Sequence, residues 1–186
     1  ACGLILTNEL MKLLYDSDMD KSLKDQCVAL IYGTVRFFHP LGMAAGMASL
    51  EGVRDVPYST VVTAMVGNGV TYGIKIAGLG NRWFTAPAPR LEGSYVAADI
   101  DLNDVLPWIG DSCMLEAVGL GGSAAAAAPA VMRAQDLTWT DGVERSREIV
   151  QITLATHRDY LIPALEYQGS PLGIDMRKVL KTGIRP

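Results

Sequence analysis

The residues with the most chemistry to offer lie in two glycine-flanked segments. In the first, Gly80-Asn81-Arg82-Trp83-Phe84, Arg82 is the candidate clamp for a carboxylate or phosphate. Its planar fork offers two parallel hydrogen bonds to such a group. The competing reading is a surface arginine stacked on Trp83. Asn81, Trp83 and, further upstream, Asn68 are candidate substrate contacts around it. In the second segment, Gly119-Leu120-Gly121-Gly122-Ser123, the backbone N–H groups of Gly121, Gly122 and Ser123 precede an expected helix. They can converge on an anion at its positive end. The alternative is that these glycines only let helices touch. Asp111 and Glu116 are candidate base or orienting carboxylates, and Asp111 serves equally well as a helix N-cap. Glu92 beside Gly93 and Asp175 beside Arg177 are weaker candidates of the same kind. His39 precedes a proline and reads more naturally as structural. Cys113 has no histidine near it in sequence, which ranks it low as a nucleophile.

Gly119 to Ala124 also matches Gly-x-Gly-x-x-Ala, the pattern of a dinucleotide-binding turn between a strand and a helix. Three features oppose that reading. Glu116 would sit inside the buried strand, the alternating strand–helix series of that fold is missing, and the pattern is common in Gly/Ala-rich sequence. No Gly-Lys-Ser/Thr follows, so it is not a Walker loop either.

The elements that must position these residues follow from periodicity. Leu4 to Tyr15 reads as a helix, and Asp20 caps a second one running through Phe38. His39-Pro40 marks a boundary. Leu41 to Leu50 is a helix rich in Gly, Ala and Met, suited to tight packing or subunit contact. Thr60 to Val66 reads as a short helix capped by Ser59. Its β-branched run also permits a strand, with Asn68-Gly69 then closing a hairpin. Val70 to Ala77 is the clearest strand, with Tyr72, Ile74 and Ile76 on one face and Gly73 and Lys75 on the other. Arg90 to Val96 is a second strand candidate, and Asp99 to Gly110 is irregular. The alanine tract from Ala124 is an expected helix that Pro129 bends. Asp141 is the expected cap of a helix to about Thr156, with Glu144 as its capping-box partner. Ile162 to Tyr167 reads as a short strand and Ile174 to Leu180 as a final helix. The sum is α+β, a mostly helical single domain (residues 1–186) packed around a small sheet.

Composition narrows the function classes. Apolar residues make up 49% of the 186 and charged residues 19%, which supports a substantial core and argues against disorder. Net charge is −4 with no basic block, so a nucleic-acid surface is not expected. No apolar run approaches a membrane span, and the first residues lack a basic leader region. Three scattered cysteines and two histidines offer neither a disulfide framework nor zinc-ligand spacing. No resident cofactor is expected. Mg²⁺ held by a carboxylate and substrate oxygens is compatible with the composition.

Several segments together resemble the YlbE-like family, which includes AllG. They are Phe37-Phe38 with Leu41 and Met43-Ala44-Ala45, Ser59 to Met65 with Asn68-Gly69, and Gly78 with Gly80 to Pro87. Further on come Gly110-Asp111-Ser112, Glu116, Gly119 to Gly122, Ala127 to Ala130, Ile162 to Leu165 and Gly173-Ile174-Asp175. They follow the family's order and span most of the chain from Phe37 onward. His39-Pro40 and Val66-Gly67 depart from its pattern. Family members are longer, and the chain resembles their C-terminal half.

The resemblance implies a cytoplasmic protein of purine (allantoin) catabolism, a subunit of oxamate carbamoyltransferase that works with an FdrA-type subunit and a third partner. The implied reaction converts oxalurate and phosphate to oxamate and carbamoyl phosphate. Every reactant is an anion, and attack on the carbamoyl carbon builds charge on its oxygen, which calls for fixed donors. On that reading Arg82 and the Gly121–Ser123 amides supply the donors, facing each other across one anion pocket, and Asp111 or Glu116 orients the amide. A homo-oligomer is expected, and two other classes stay open: a non-catalytic assembly subunit whose small-residue helices Leu41–Leu50 and Ala124–Ala134 form subunit contacts, and a dinucleotide-dependent enzyme. Neither nucleic acid nor membrane is an expected partner.

Overall fold

The computed structural model describes residues 2–33, 39–90, 101, 103–110, 113–134 and 136–186. The chain forms two compact units, Ala1–Ala44 and Ala45–Pro186. The first holds α1 (Cys2–Asp16), α2 (Lys21–Gly33) and the start of α3 (His39–Glu51). Asp20 caps α2 as expected, its carboxylate accepting from the Leu23 amide at 3.0 Å. Lys24 reaches back to the Tyr15 carbonyl at 3.0 Å and ties α2 to the end of α1. The stretch assigned to α2 beyond Gly33 lies outside the described residues. α3 begins at His39, with Pro40 in the first turn, where its missing N–H would have no helical partner anyway.

The second unit is built on a four-stranded antiparallel sheet in the order β3-β2-β1-β4, from β1 (Val62–Asn68), β2 (Thr71–Ile76), β3 (Phe84–Pro87) and β4 (Ile109–Gly110). Thr60–Val66 is therefore not a helix, and the strand alternative is correct. The β-branched run favours extended backbone, and both its neighbours supply ladder partners. Asn68 closes the hairpin by accepting from the Val70 and Thr71 amides at 2.9 and 2.7 Å, and Gly69 takes a φ of +83°. Val62 to Met65 is buried without a break, as a strand covered on both faces must be.

The register settles which side chains share a face. Met65 pairs with Ile74 and Gly67 with Tyr72, while Ile74 pairs with Phe84 and Gly67 with Gly110. Directly opposite residues point the same way. One face thus carries Met65, Tyr72, Ile74 and Phe84, and the other carries Gly73, Lys75 and Thr85. Residues 91–96 of the second strand candidate lie outside the described residues, and Arg90 itself is not in a strand.

After β4 comes a single-turn α4 (Met114–Ala117), then a 3-10 helix at Gly121–Ala127 and α5 (Pro129–Ala134). The alanine tract is thus not a bent α-helix. Pro129 cannot donate inside a helix, so the chain breaks at Ala128 and restarts with proline in the first turn. The segment before the glycine turn is helical, so the strand–turn–helix context of a dinucleotide fingerprint is absent. α6 (Trp139–Ile152) is capped by Thr138, with Asp141 as its reciprocal partner rather than as the cap. The exposed Asp141 carboxyl is held below its ordinary range, chiefly by the Thr138 hydroxyl and then by the Thr138 amide.

α6 stops at Ile152, short of the expected Thr156, and passes directly into β5 (Thr153–Ile162), so Leu154 stands on a strand, half exposed. The short strand expected at Ile162–Tyr167 is replaced by a 3-10 turn at Pro163–Leu165. It joins β5 to β6 (Gln168–Ile174), and α7 (Met176–Thr182) follows.

The main core gathers Leu50, Val62, Ala64, Met65, Met114, Ala117, Val118, Ile149, Ile152 and Ile174. Asp175 knots its edge. Its carboxylate, on a residue only 2% exposed, accepts from the Thr60 hydroxyl at 2.6 Å and the Arg177 amide at 2.9 Å. Its own amide donates to the Ile152 carbonyl at 2.8 Å. Burial pushes this carboxyl up, but the bonds from Thr60 and Arg177 and the Arg177 charge prevail and hold it below its ordinary range. The fold is α+β, as the sequence suggests. Among the described residues no helix is long and apolar enough to cross a membrane.

Candidate functional site

The predicted site residues fall into separate clusters. Between β2 and β3, Gly80 adopts φ +64°, and the Arg82 and Trp83 that follow take different stacking partners. The Arg82 guanidinium lies 4.7 Å from the centre of the Phe84 ring. Trp83 instead receives Lys75, whose ammonium sits 4.6 Å from its ring centre and donates to the Asn81 side-chain carbonyl. The stacking partner of Arg82 is thus Phe84, not Trp83. Trp83 also lies over Gly73, where an added Cβ would meet its ring at 3.1 Å. Among the described residues, Arg82 makes no hydrogen bond or ion pair. Its fork is held by stacking with its donors uncommitted. Because Phe84 pairs with Ile74, Arg82 stands on the Met65–Tyr72–Ile74 side of the sheet.

The glycine turn is organised around Glu116. The Gly122 amide donates to the Glu116 carboxylate at 2.7 Å, and the Ser123 hydroxyl donates to the Glu116 carbonyl at 3.0 Å. The Ser123 amide donates to the Leu120 carbonyl at 3.2 Å, and the residue is only 1% exposed. Gly121 takes φ +57°, and a Cβ there would meet the Glu116 carboxylate at 2.2 Å. The turn therefore brings Glu116, Gly121, Gly122 and Ser123 together, with a protein carboxylate on the Gly122 donor. Gly119, at φ +77°, is pressed against the Pro171 carbonyl, and Ser170 donates to the Gly119 carbonyl.

A third cluster was not singled out from sequence. The Trp108 indole lies flat across the facing pair Gly67 and Gly110. An added Cβ at either would meet the ring at 2.3 Å. Tyr72 meets the same indole edge-on, at 5.4 Å between ring centres and 63° between planes. The Cys113 thiol donates to the Met65 carbonyl at 2.7 Å. Burial pushes the Tyr72 hydroxyl above its ordinary range, and the neighbouring Cys113 adds to this.

Tyr72, Trp108 and Cys113 border a cavity of about 490 Å³, walled otherwise by residues such as Met65, Ile74, Pro87, Met176 and Val179. Neither Arg82 nor the glycine turn lines it. The available signals were Gly67 and Pro107-Trp108: a glycine inside a strand often marks close approach by another group.

Asn68 is committed to its own turn. Asp111 and Glu92 lie outside the described residues. Among the described residues no group of three or more His, Cys, Asp or Glu side chains could hold a metal ion.

Comparisons with known proteins place this α+β chain. The family model described as "Oxamate carbamoyltransferase subunit AllG" matches residues 1–112. The whole chain is 34% identical, over 190 aligned positions, to "Oxamate carbamoyltransferase subunit AllG" of Escherichia coli K12, covering 44% of that protein. It is 37% identical over 150 positions to the uncharacterized protein YahG of the same organism, covering 81% of this chain and 32% of YahG. A crystal structure of a conserved protein of unknown function from Enterococcus faecalis V583 superposes over 99% of this chain and 44% of its own, with a TM-score of 0.92 and 34% identity. The chain belongs to the AllG family. It spans less than half the length of the curated relatives it matches.

Proposed function

We propose that this chain is part of an oxamate carbamoyltransferase-type subunit, cytoplasmic and acting in purine catabolism. The reaction converts oxalurate and phosphate to oxamate and carbamoyl phosphate in company with an FdrA-type subunit. The observation that carries the reading is the 34% identity to the E. coli AllG subunit along the entire chain. The geometry supports an anion-handling role for Arg82. Its guanidinium is braced on Phe84 and carries no protein carboxylate among the described residues. A braced, uncommitted fork needs little reorganisation to take a carboxylate in two parallel bonds. Phosphate attack on the carbamoyl carbon leaves charge on the carbonyl oxygen, and fixed donors stabilise that charge.

The Glu116–Gly122 contact is consistent with a supporting part for the glycine turn. Glu116 orders the turn, and the Gly122 amide reaches a substrate only if that carboxylate yields its place, while the Ser123 amide stays on the Leu120 carbonyl. The test is an assay of the full-length protein, alone and with its partner subunits, for carbamoyl phosphate formation from oxalurate and phosphate. Product that depends on this protein supports the reading. Absence of product with all partners present and folded contradicts it.

A further inference from the structure

We propose that the cavity beside Tyr72 and Trp108 is a binding site for a small planar aromatic anion, distinct from the substrates of carbamoyl transfer. Its volume of about 490 Å³ is within the size of small-molecule sites. Its walls are mostly hydrocarbon and sulfur: Met65, Ile74, Met176 and Val179 beside the prolines at 87 and 89. Oxalurate and phosphate have no apolar body to place against such walls.

The aromatic side is preformed. Trp108 cannot move toward the sheet, since it already fills the space above Gly67 and Gly110, and Tyr72 buttresses its edge. A fixed indole and tyrosine favour a flat ring stacked or set edge-on against them.

The polar groups of the wall define the other half of the ligand. The Cys113 thiol is spent on the Met65 carbonyl. The Tyr72 hydroxyl, the Trp108 indole N–H and the Arg185 guanidinium make no hydrogen bond to any described residue. All three can donate, the tyrosine hydroxyl can also accept, and a half-buried tyrosine hydroxyl ordinarily finds a partner. A lining richer in spare donors than in acceptors fits a ligand that mainly accepts, and the arginine favours one with negative charge.

The test uses 1-anilinonaphthalene-8-sulfonate as probe with the intact protein, followed by fluorescence and calorimetry. Its neutral counterpart, N-phenyl-1-naphthylamine, runs in parallel. Saturable binding at one site is expected, about fivefold or more tighter for the anion than for the neutral ring system. Val179→Trp and Met176→Trp each fill the cavity from α7, and each is expected to weaken binding about tenfold or more. Tyr72→Phe keeps the ring and is expected to weaken it about threefold. Near-ultraviolet circular dichroism verifies that each variant is folded.

Absence of saturable binding overturns the proposal. So does wild-type affinity in both folded tryptophan variants, and so does equal affinity for the neutral ring. Carbamoyl transfer is read in a separate assay, so failure here leaves the proposed reaction standing.

Discussion

Gly67 with Gly110, and Gly121 with Gly122, both make room for a side chain, yet they admit opposite kinds. The first pair faces each other across two strands and receives the indole of Trp108. The second lies in a turn and receives the carboxylate of Glu116. An indole wedged between backbone and Tyr72 cannot yield when its space is invaded. A carboxylate at the end of a flexible chain can swing into water. The glycines under Trp108 therefore serve packing and a cavity wall, and those at Glu116 serve a local hydrogen bond that can be released.

That contrast is open to test, beginning where the largest effect is expected. Gly67→Ala puts a methyl group 2.3 Å from the Trp108 ring and should cost about 3 kcal/mol in urea unfolding. Much of that cost should vanish in the Gly67→Ala, Trp108→Ala background relative to Trp108→Ala alone. Strict additivity would mean the ring is not what the glycine accommodates. Gly121→Ala should cost less, about 2 kcal/mol, from the strain of its positive φ and a displaced Glu116. Glu116→Ala removes the acceptor from the Gly122 amide, which solvent can satisfy in part, and should cost about 1 kcal/mol, with Glu116→Gln closer to wild type. If Gly121→Ala proved as damaging as Gly67→Ala, the distinction between a yielding and an unyielding neighbour would be wrong.

Asp175 adds a pH dependence. Its folded carboxyl lies below its ordinary value, so its contribution is complete above the unfolded carboxylate range. It is lost as pH falls through the lower, folded value. Asp175→Ala should cost about 2 kcal/mol near neutrality, through loss of the cap on α7 and of the Thr60 bond. The gap between mutant and wild type should shrink in acid. A gap that stayed constant down to strongly acidic pH would mean the carboxylate's charge contributes nothing.

Much of this architecture was legible in the residues. Asp20 as a cap, the alternation through β2 and the final helix follow from local chemistry that the tertiary structure respects. The reading failed where context overrides propensity. Thr60–Val66 is helical or extended on its own, and only its neighbours on both sides decide for strand. The alanine tract has the best helix former in proteins, but Pro129 and close packing of Ala125 and Ala126 shorten it to 3-10 turns. Capping of α6 shifted because Thr138 and Asp141 satisfy each other reciprocally, which spacing from Asp141 to Glu144 imitates.

At the candidate site, Arg82 was conspicuous because arginine between glycine and aromatics is uncommon chemistry for a turn. Its stacking on Phe84 was not legible, since it depends on which side of the sheet the chain leaves Gly80. The Trp108 cavity was hidden for the same reason: it joins residues more than forty positions apart through strand register.

Arg82 bears most directly on the proposed chemistry. Exposed and stacked on one ring, it should contribute no more than about 0.5 kcal/mol to stability. In the assembled enzyme, Arg82→Ala should raise the oxalurate requirement and lower kcat/KM about a hundredfold, with Arg82→Lys recovering only part, because a point charge cannot replace a two-pronged donor. A folded Arg82→Ala variant with unchanged kcat/KM for oxalurate would contradict the account.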